Sequence, residues 1–97
     1  MNIGAAIKIF RKEKGYSQKK LAEECGLSVN ALCQIEKDAT FPQKSTIKKI
    51  CKELDIPVSY LLFFSIDDSD VPDHKKVVFK SLNSAIRNVL LDSELKT

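Results

Sequence analysis

The sequence predicts an all-α fold in which a five-helix domain is followed by a sixth, amphipathic helix. Its 97 residues are 43% hydrophobic but include only three glycines and three prolines, so residues that form turns are few and a small core can form. Apolar residues recur every three or four positions over most of the chain, which is the period of a half-buried helix. A chain of this length accommodates one domain and a short appended element.

The first helix is predicted over about residues 3–14. Ile3, Ile7 and Phe10 are four and three residues apart and therefore share one face. Gly15 follows directly and suits the cap at the C-terminal end of the helix.

Two short helices follow, and each is preceded by a serine that can cap it. Ser17 can accept a hydrogen bond from a free backbone N–H of a second helix that begins at Gln18. Ser28 can do the same for a third helix that runs to about Glu36. The residues predicted to face inward are Leu21, Ala22, Cys25, Leu32 and Ile35.

Two further helices complete the first domain, residues 1–66. The fourth, over about residues 44–54, has its apolar residues at i, i+3, i+4 and i+7, namely Ile47, Ile50, Cys51 and Leu54. The fifth begins after Pro57 and is apolar all round, which predicts that it closes the core.

The rest of the chain divides into a linker and a sixth helix. Residues 67–73 are acidic and contain Pro72, which predicts a linker. Residues 74–97 are the last segment, with an amphipathic helix from about His74 to Leu91. One apolar stripe runs along this helix and consists of Val78, Phe79, Leu82, Ala85, Ile86, Val89 and Leu90.

Composition narrows the classes of function. Residues 1–66 carry 11 Lys and Arg against 7 Asp and Glu, and such a surplus suits a polyanionic partner, although many ordinary soluble domains have a similar one. The three cysteines form no C-x-x-C pair and the single histidine has no partner motif, so we predict neither a metal site nor a cofactor nor an enzyme. No signal peptide or membrane span is evident, which predicts a cytoplasmic protein.

The most specific pattern extends from about Gln18 to Lys37 and fits a helix-turn-helix. Two short helices that cross near a right angle approach closely, so Ala22 keeps their contact small and Gly26 permits the sharp turn. The larger apolar residues predicted to be buried between the helices are Leu21, Leu27, Leu32 and Ile35.

These residues resemble the Cro and lambda repressor-like family of transcription regulators, also called the xenobiotic-response-element type. The resemblance covers roughly residues 3–64 and rests on Arg11, Ser17-Gln18-Lys19-Lys20-Leu21-Ala22, Gly26-Leu27-Ser28 and Gln34-Ile35-Glu36. It implies a compact five-helix domain whose third helix, about residues 28–36, enters the major groove of double-stranded DNA. It also implies a partly buried, structural salt bridge between Arg11 and Glu36 that holds this helix in place.

The outward face of the third helix supplies candidate base contacts. With Leu32 and Ile35 inward, a rotation of about 100° per residue turns another set outward. Of these, Asn30 and Gln34 can each offer a donor and an acceptor to adenine. In an isolated helix the same face would be interpreted as solvated polar surface. The candidate base contacts are Val29, Asn30, Cys33, Gln34 and Lys37.

Cys33 suggests the further hypothesis that oxidation of its thiol blocks DNA binding, although a passive small residue is favoured.

Candidate phosphate contacts surround the motif. The resemblance implies that Gln18 contacts a backbone phosphate and fixes the register of the domain on DNA. Surface lysines are weaker candidates, because most serve only to keep a helix soluble. The other candidate phosphate contacts are Ser17, Lys19, Ser28, Thr40 and Lys44.

One such domain covers only a few base pairs, and specific recognition usually joins two half-sites about one turn apart. The stripe on the sixth helix resembles a short coiled-coil seam, which favours homodimerisation through it over packing on its own domain. We therefore predict a dimeric, sequence-specific transcription regulator, and a repressor because so small a chain has little surface with which to recruit polymerase. The alternative is an antitoxin or anti-repressor type of protein whose stripe binds a different protein.

Overall fold

A computed structural model describes residues 1–91, and every regular element in that range is helical. The α-helices are α1 (Ile3–Lys14), α2 (Gln18–Glu24), α3 (Val29–Glu36), α4 (Lys44–Leu54), α5 (Val58–Ser65) and α6 (Lys76–Leu90). The predicted all-α class, with a five-helix domain and a further helix, is confirmed. Residues 92–97, the end of the predicted last segment, lie outside the described residues.

Local capping explains where the first three helices begin and end. Ser17 Oγ accepts a hydrogen bond from Lys20 N at 3.0 Å, and Ser28 Oγ accepts one from Ala31 N at 3.0 Å. Gly15 adopts the left-handed conformation, φ 82°, and its N–H bonds back to the last turn of α1. Each cap is a short-range effect, which is why the spacing in the sequence located these ends.

The core lies between α1 and the helices that pack around it. The buried apolar residues come from α1 to α5 and include Ile7, Phe10, Leu21, Leu32, Ile50 and Leu61. The rings of Phe10 and Phe64 are 4.5 Å apart between centroids, which joins α1 to α5. Leu61 and Phe64 are buried whereas the side chain of Leu62 is exposed, so α5 closes the core with one of its faces.

The segment before α6 is more ordered than the predicted linker. Two 3-10 turns, Asp68–Asp70 and Asp73–Lys75, occupy it. Lys75 N donates to Pro72 O at 2.9 Å and closes the second turn, so α6 begins at Lys76, two residues later than predicted. A tighter helical turn at the start of an α-helix is common.

Helix α6 is attached to the domain through its polar edge. Arg87 Nη2 donates to Phe64 O at 3.1 Å, and the guanidinium lies 4.4 Å from the centroid of the Phe64 ring. Arg87 Nε also donates to Asn83 Oδ1 at 3.1 Å, which keeps the side chain extended toward α5. Leu90 packs against the core at the end of the helix.

This attachment leaves most of the predicted apolar stripe uncovered. Leu90 packs against the core and Phe79 is half-buried, which leaves the other five residues of the predicted stripe exposed. We call the exposed part of this apolar face the exposed stripe. It consists of Val78, Leu82, Ala85, Ile86 and Val89.

Candidate DNA-binding surface

Helices α2 and α3 form a helix-turn-helix whose turn depends on Gly26. This residue has φ 69°, a left-handed conformation that costs most side chains energy but not glycine. Leu27 N donates to Ala22 O at 2.8 Å and closes the turn. Leu21, Ala22 and Leu32 are fully buried at the contact between the two helices, so α3 has one inner face and one outer face.

The predicted base contacts lie along the outer face of α3. Val29, Asn30 and Lys37 are exposed, whereas Cys33 and Gln34 are half-buried. The carboxamides of Asn30 and Gln34 are one helical turn apart, and each can present a donor and an acceptor to the edge of a base. The major groove is wide enough to admit an α-helix that presents such a face.

The predicted phosphate contacts other than Gln18 are also exposed, and they flank the starts of three helices. Ser17 and Ser28 cap α2 and α3, and because each Oγ accepts a backbone N–H, its own O–H remains a donor. Lys19 lies in the first turn of α2, and Lys44 is the first residue of α4. Thr40 lies in the turn that follows α3.

Arg11 and Glu36 form a buried, two-pronged ion pair between α1 and the last turn of α3. Arg11 Nε donates to Glu36 Oε2 at 2.7 Å, and Arg11 Nη2 donates to Oε1 at 3.1 Å. The side chains are only 8% and 2% exposed, so removal of either partner would leave the other charge buried without compensation.

Gln18 is turned toward this ion pair as well as toward the surface. Its side-chain Nε2 donates to Glu36 Oε1 at 3.0 Å, and the residue is half-buried. This contact was not predicted, because the family resemblance implies only a phosphate contact for Gln18. Eighteen positions separate the two residues, and no local spacing signals their contact.

Gly4 is a second residue whose role was not predicted from the sequence. A Cβ atom at this position would lie 2.0 Å from the backbone oxygen of Ile35, so α1 and the end of α3 touch backbone to backbone. The available signal was positional: Gly4 lies on the same helical face as Ile7 and Arg11.

Phe41 is an exposed aromatic residue just after α3. Its side chain is 66% exposed, whereas the neighbouring Pro42 is buried. It could have been noticed as the one aromatic residue in an otherwise polar turn.

The described residues contain no group of three or more His, Cys, Asp or Glu side chains that could hold a metal ion. No helix among them is long and apolar enough to cross a bilayer.

A protein-family comparison matches residues 7–61 to the family described as Helix-turn-helix. The matched range covers α2 and α3 together with most of α1 and all of α4, and it exceeds half of the chain. The chain belongs to the helix-turn-helix family. Membership confirms the predicted relationship to helix-turn-helix transcription regulators.

Relatives within this family are transcription regulators. The chain is 43% identical to the HTH-type transcriptional regulator SinR of Bacillus subtilis (strain 168) over 61 residues, which is 62% of this chain and 55% of SinR. It is 28% identical to ImmR of the same organism over 89 residues, covering 92% of this chain and 68% of ImmR. The chain thus spans about half the length of SinR.

Solved structures in the family include complexes of SinR. SinR in complex with DNA superposes with a TM-score of 0.59 at 41% identity, over 62% of this chain and 97% of that chain. A complex of the SinR and SinI proteins gives a TM-score of 0.61 at 30% identity, over 97% of this chain and 96% of that chain.

Proposed function

We propose that the protein is a sequence-specific, double-stranded DNA-binding transcription regulator, acting as a repressor, that inserts α3 into the major groove. The observation that carries the proposal is the outer face of α3, where Asn30 and Gln34 are turned away from the core within a helix-turn-helix. A relative at 41% identity has been solved bound to DNA, which supports the same partner here. We place its action in the cytoplasm, where bacterial DNA lies.

The residues of the surface divide into two proposed roles. Asn30 and Gln34 bind adenine edges, Val29 packs on a thymine methyl, and Lys37 reaches guanine or a phosphate. Phosphate contacts, which fix position without specifying sequence, come from Gln18 and from the exposed set around the helix starts: Ser17, Lys19, Ser28, Thr40 and Lys44.

Selection from random duplex DNA tests this function. The purified protein should enrich a palindrome whose half-sites are about one helical turn apart. Gln34→Ala should enrich a less defined sequence, whereas Gln18→Ala should bind all duplexes more weakly and enrich the same one. Absence of enrichment by the folded wild-type protein would refute the proposal.

We also propose that two copies associate through the exposed stripe of α6. Four of its large apolar side chains, Val78, Leu82, Ile86 and Val89, are exposed on one face. Burial of such a face is the main favourable contribution to the pairing of helices.

Charge supports a second copy as the occupant of the stripe. The three cations of α6 lie off the stripe and are bound within their own chain: Lys76 to Asp73 at 3.0 Å, Lys80 to Asp68 at 3.7 Å, and Arg87 to Phe64 O at 3.1 Å. No charged side chain therefore lies on the stripe between Val78 and Val89 to repel an identical face.

Sedimentation tests the dimer. Leu82→Asp adds a charge at the centre of the stripe and should give a monomer, because pairing would bury that charge. Asn88→Asp adds the same charge at an exposed position off the stripe and should leave the dimer intact. A wild-type monomer at micromolar concentration, or equal effects of both variants, would contradict the assignment.

A second candidate function is that of an anti-repressor or antitoxin-type protein whose α6 binds a different protein. An open apolar groove of about 440 Å³ lies beside the stripe, lined by Val71, His74, Lys75, Val78, Phe79 and Leu82. One solved relative is a complex with another protein, SinI. A folded monomer that enriches no duplex would favour this second function over the first.

A further inference from the structure

The buried ion pair between Arg11 and Glu36 has a third member, Gln18. Glu36 Oε1 accepts hydrogen bonds from both Arg11 Nη2 at 3.1 Å and Gln18 Nε2 at 3.0 Å. Glu36 Oε2 accepts from Arg11 Nε at 2.7 Å. Because the Glu36 side chain is 2% exposed and forms two hydrogen bonds with the Arg11 guanidinium, its oxygens are held in fixed positions.

Contact with a carboxylate determines which end of the Gln18 carboxamide faces inward. A carboxylate only accepts hydrogen bonds, so it binds the NH2 group and not the oxygen of the amide. A flipped amide would set its oxygen against Glu36 Oε1. One N–H of Gln18 is used in this way, and the second N–H of the same group is available to another acceptor.

The backbone at the entrance to α2 is held by the same guanidinium. Arg11 Nη1 donates to Tyr16 O at 2.8 Å, and Tyr16 directly precedes the cap residue Ser17. Both the backbone leading to Gln18 and its carboxamide are therefore positioned through Arg11 and Glu36. In the unbound protein the amide is already restricted, which lowers the entropy lost when it binds.

We propose that Glu36 is a positioning residue for DNA binding, which orients the Gln18 carboxamide so that its second N–H donates to a backbone phosphate. Glu36 does not touch the DNA and acts through Gln18. The proposal rests on the proposed DNA-binding function and adds to it a buried determinant of a surface contact.

Titration of duplex DNA with four proteins tests the coupling: wild type, Gln18→Ala, Glu36→Asp, and both substitutions together. Glu36→Asp keeps a carboxylate that the long side chain of Arg11 can still reach. Because aspartate is one methylene shorter, its carboxylate lies farther from the Gln18 amide and no longer accepts its hydrogen bond. Gln18→Ala should lower affinity at least about tenfold for each half-site, as expected for a hydrogen bond to a charged group. Glu36→Asp should lower it by a similar or smaller factor, and the double variant should bind no more weakly than Gln18→Ala.

Salt dependence separates this role from a general disturbance of the domain. A neutral amide releases no counterion, so the slope of log affinity against log salt should be the same in all four proteins. The loss should also be equal on the selected duplex and on unrelated DNA, because a phosphate contact carries no sequence information. A displaced α3 would instead reduce the preference for the selected duplex.

Several outcomes would overturn the proposal. The first is that Glu36→Asp or Gln18→Ala binds DNA with wild-type affinity. The second is that the loss of affinity in the double variant equals the product of the losses in the two single variants. Should Glu36→Asp fail to fold, Arg11→Met with Glu36→Met replaces the pair by apolar side chains, and Gln18→Ala must then lower affinity by a smaller factor in that background than in the wild-type protein. A wild-type protein that binds no DNA refutes the proposed function itself, before any variant is compared.

Discussion

The backbone contact at Gly4 gives the sharpest prediction about stability. A Cβ atom there would lie 2.0 Å from Ile35 O and 3.0 Å from the carbonyl carbon and oxygen of Glu36. All of these atoms belong to the backbone, so no change of rotamer can relieve the overlap. Gly4→Ala must therefore separate α1 from the end of α3.

The magnitude follows from two opposing effects. Overpacking of a close contact costs about 1–3 kcal/mol, and a clash between backbones belongs at the upper end of that range. The higher helix propensity of alanine offsets about 1 kcal/mol. The net loss is about 2 kcal/mol, which corresponds to a fall in Tm of roughly 8–16 °C for a domain of this size.

Thermal unfolding followed by far-UV circular dichroism measures this loss. Lys8 is exposed on the same helix, so Lys8→Gly and Lys8→Ala calibrate the propensity difference where no contact interferes. A Gly4→Ala protein that melts at or above the wild-type temperature would refute the reasoning, because it would mean that α1 and α3 do not meet as described.

Three further predictions concern the reading face, the thiols and a helix cap. Gln34→Ala should reduce the preference for the selected duplex in competition titrations and leave affinity for unrelated DNA intact; an unchanged preference would remove Gln34 from the base contacts. Burial raises the pKa of the Cys25 and Cys51 thiols, which lowers their reactive thiolate fraction at neutral pH. Iodoacetamide at pH 7 should therefore modify Cys33 first, and peptide mass spectrometry that finds Cys25 modified first would contradict this. Asp55 ends α4 in the left-handed conformation, φ 55°, which glycine adopts more easily than aspartate. Asp55→Gly should therefore raise the free energy of unfolding, measured in urea, by about 0.5–1 kcal/mol. A lower free energy of unfolding would argue against strain at this position.

Helix ends were predictable because their determinants are local. Ser17, Ser28 and Gly15 each act within a few residues, and the bounds of α1 and α4 match those predicted. The attachment of α6 was not predictable in the same way. Helical periodicity identifies the apolar face of α6, but α6 contacts the domain with its polar edge, through Arg87. This contact depends on where the fold places the Phe64 carbonyl and ring.

The site shows the same division between local and long-range determinants. The outer face of α3 follows from helical geometry once Leu32 and Ile35 are inward. The inward bond of Gln18 and the requirement for glycine at position 4 arise only when α1, α2 and α3 meet, since each joins residues far apart in sequence. Resemblance to a family supplied the Arg11–Glu36 pair, but not what else binds to it.

Both attachments of α1 to α3 act at the C-terminal turn of α3. Gly4 contacts the backbone of Ile35 and Glu36, and Arg11 binds the Glu36 side chain. The proposed base contacts Asn30 and Gln34 extend from the part of α3 that precedes this turn. A change that breaks an attachment, as Gly4→Ala does, tilts the whole face, so it should lower affinity and sequence preference together, because directed hydrogen bonds to bases tolerate little misplacement. Glu36→Asp keeps the ion pair with Arg11 and is not such a change. A change on the face lowers affinity for the selected duplex but not for unrelated DNA, and this difference separates residues that hold α3 from residues that contact bases.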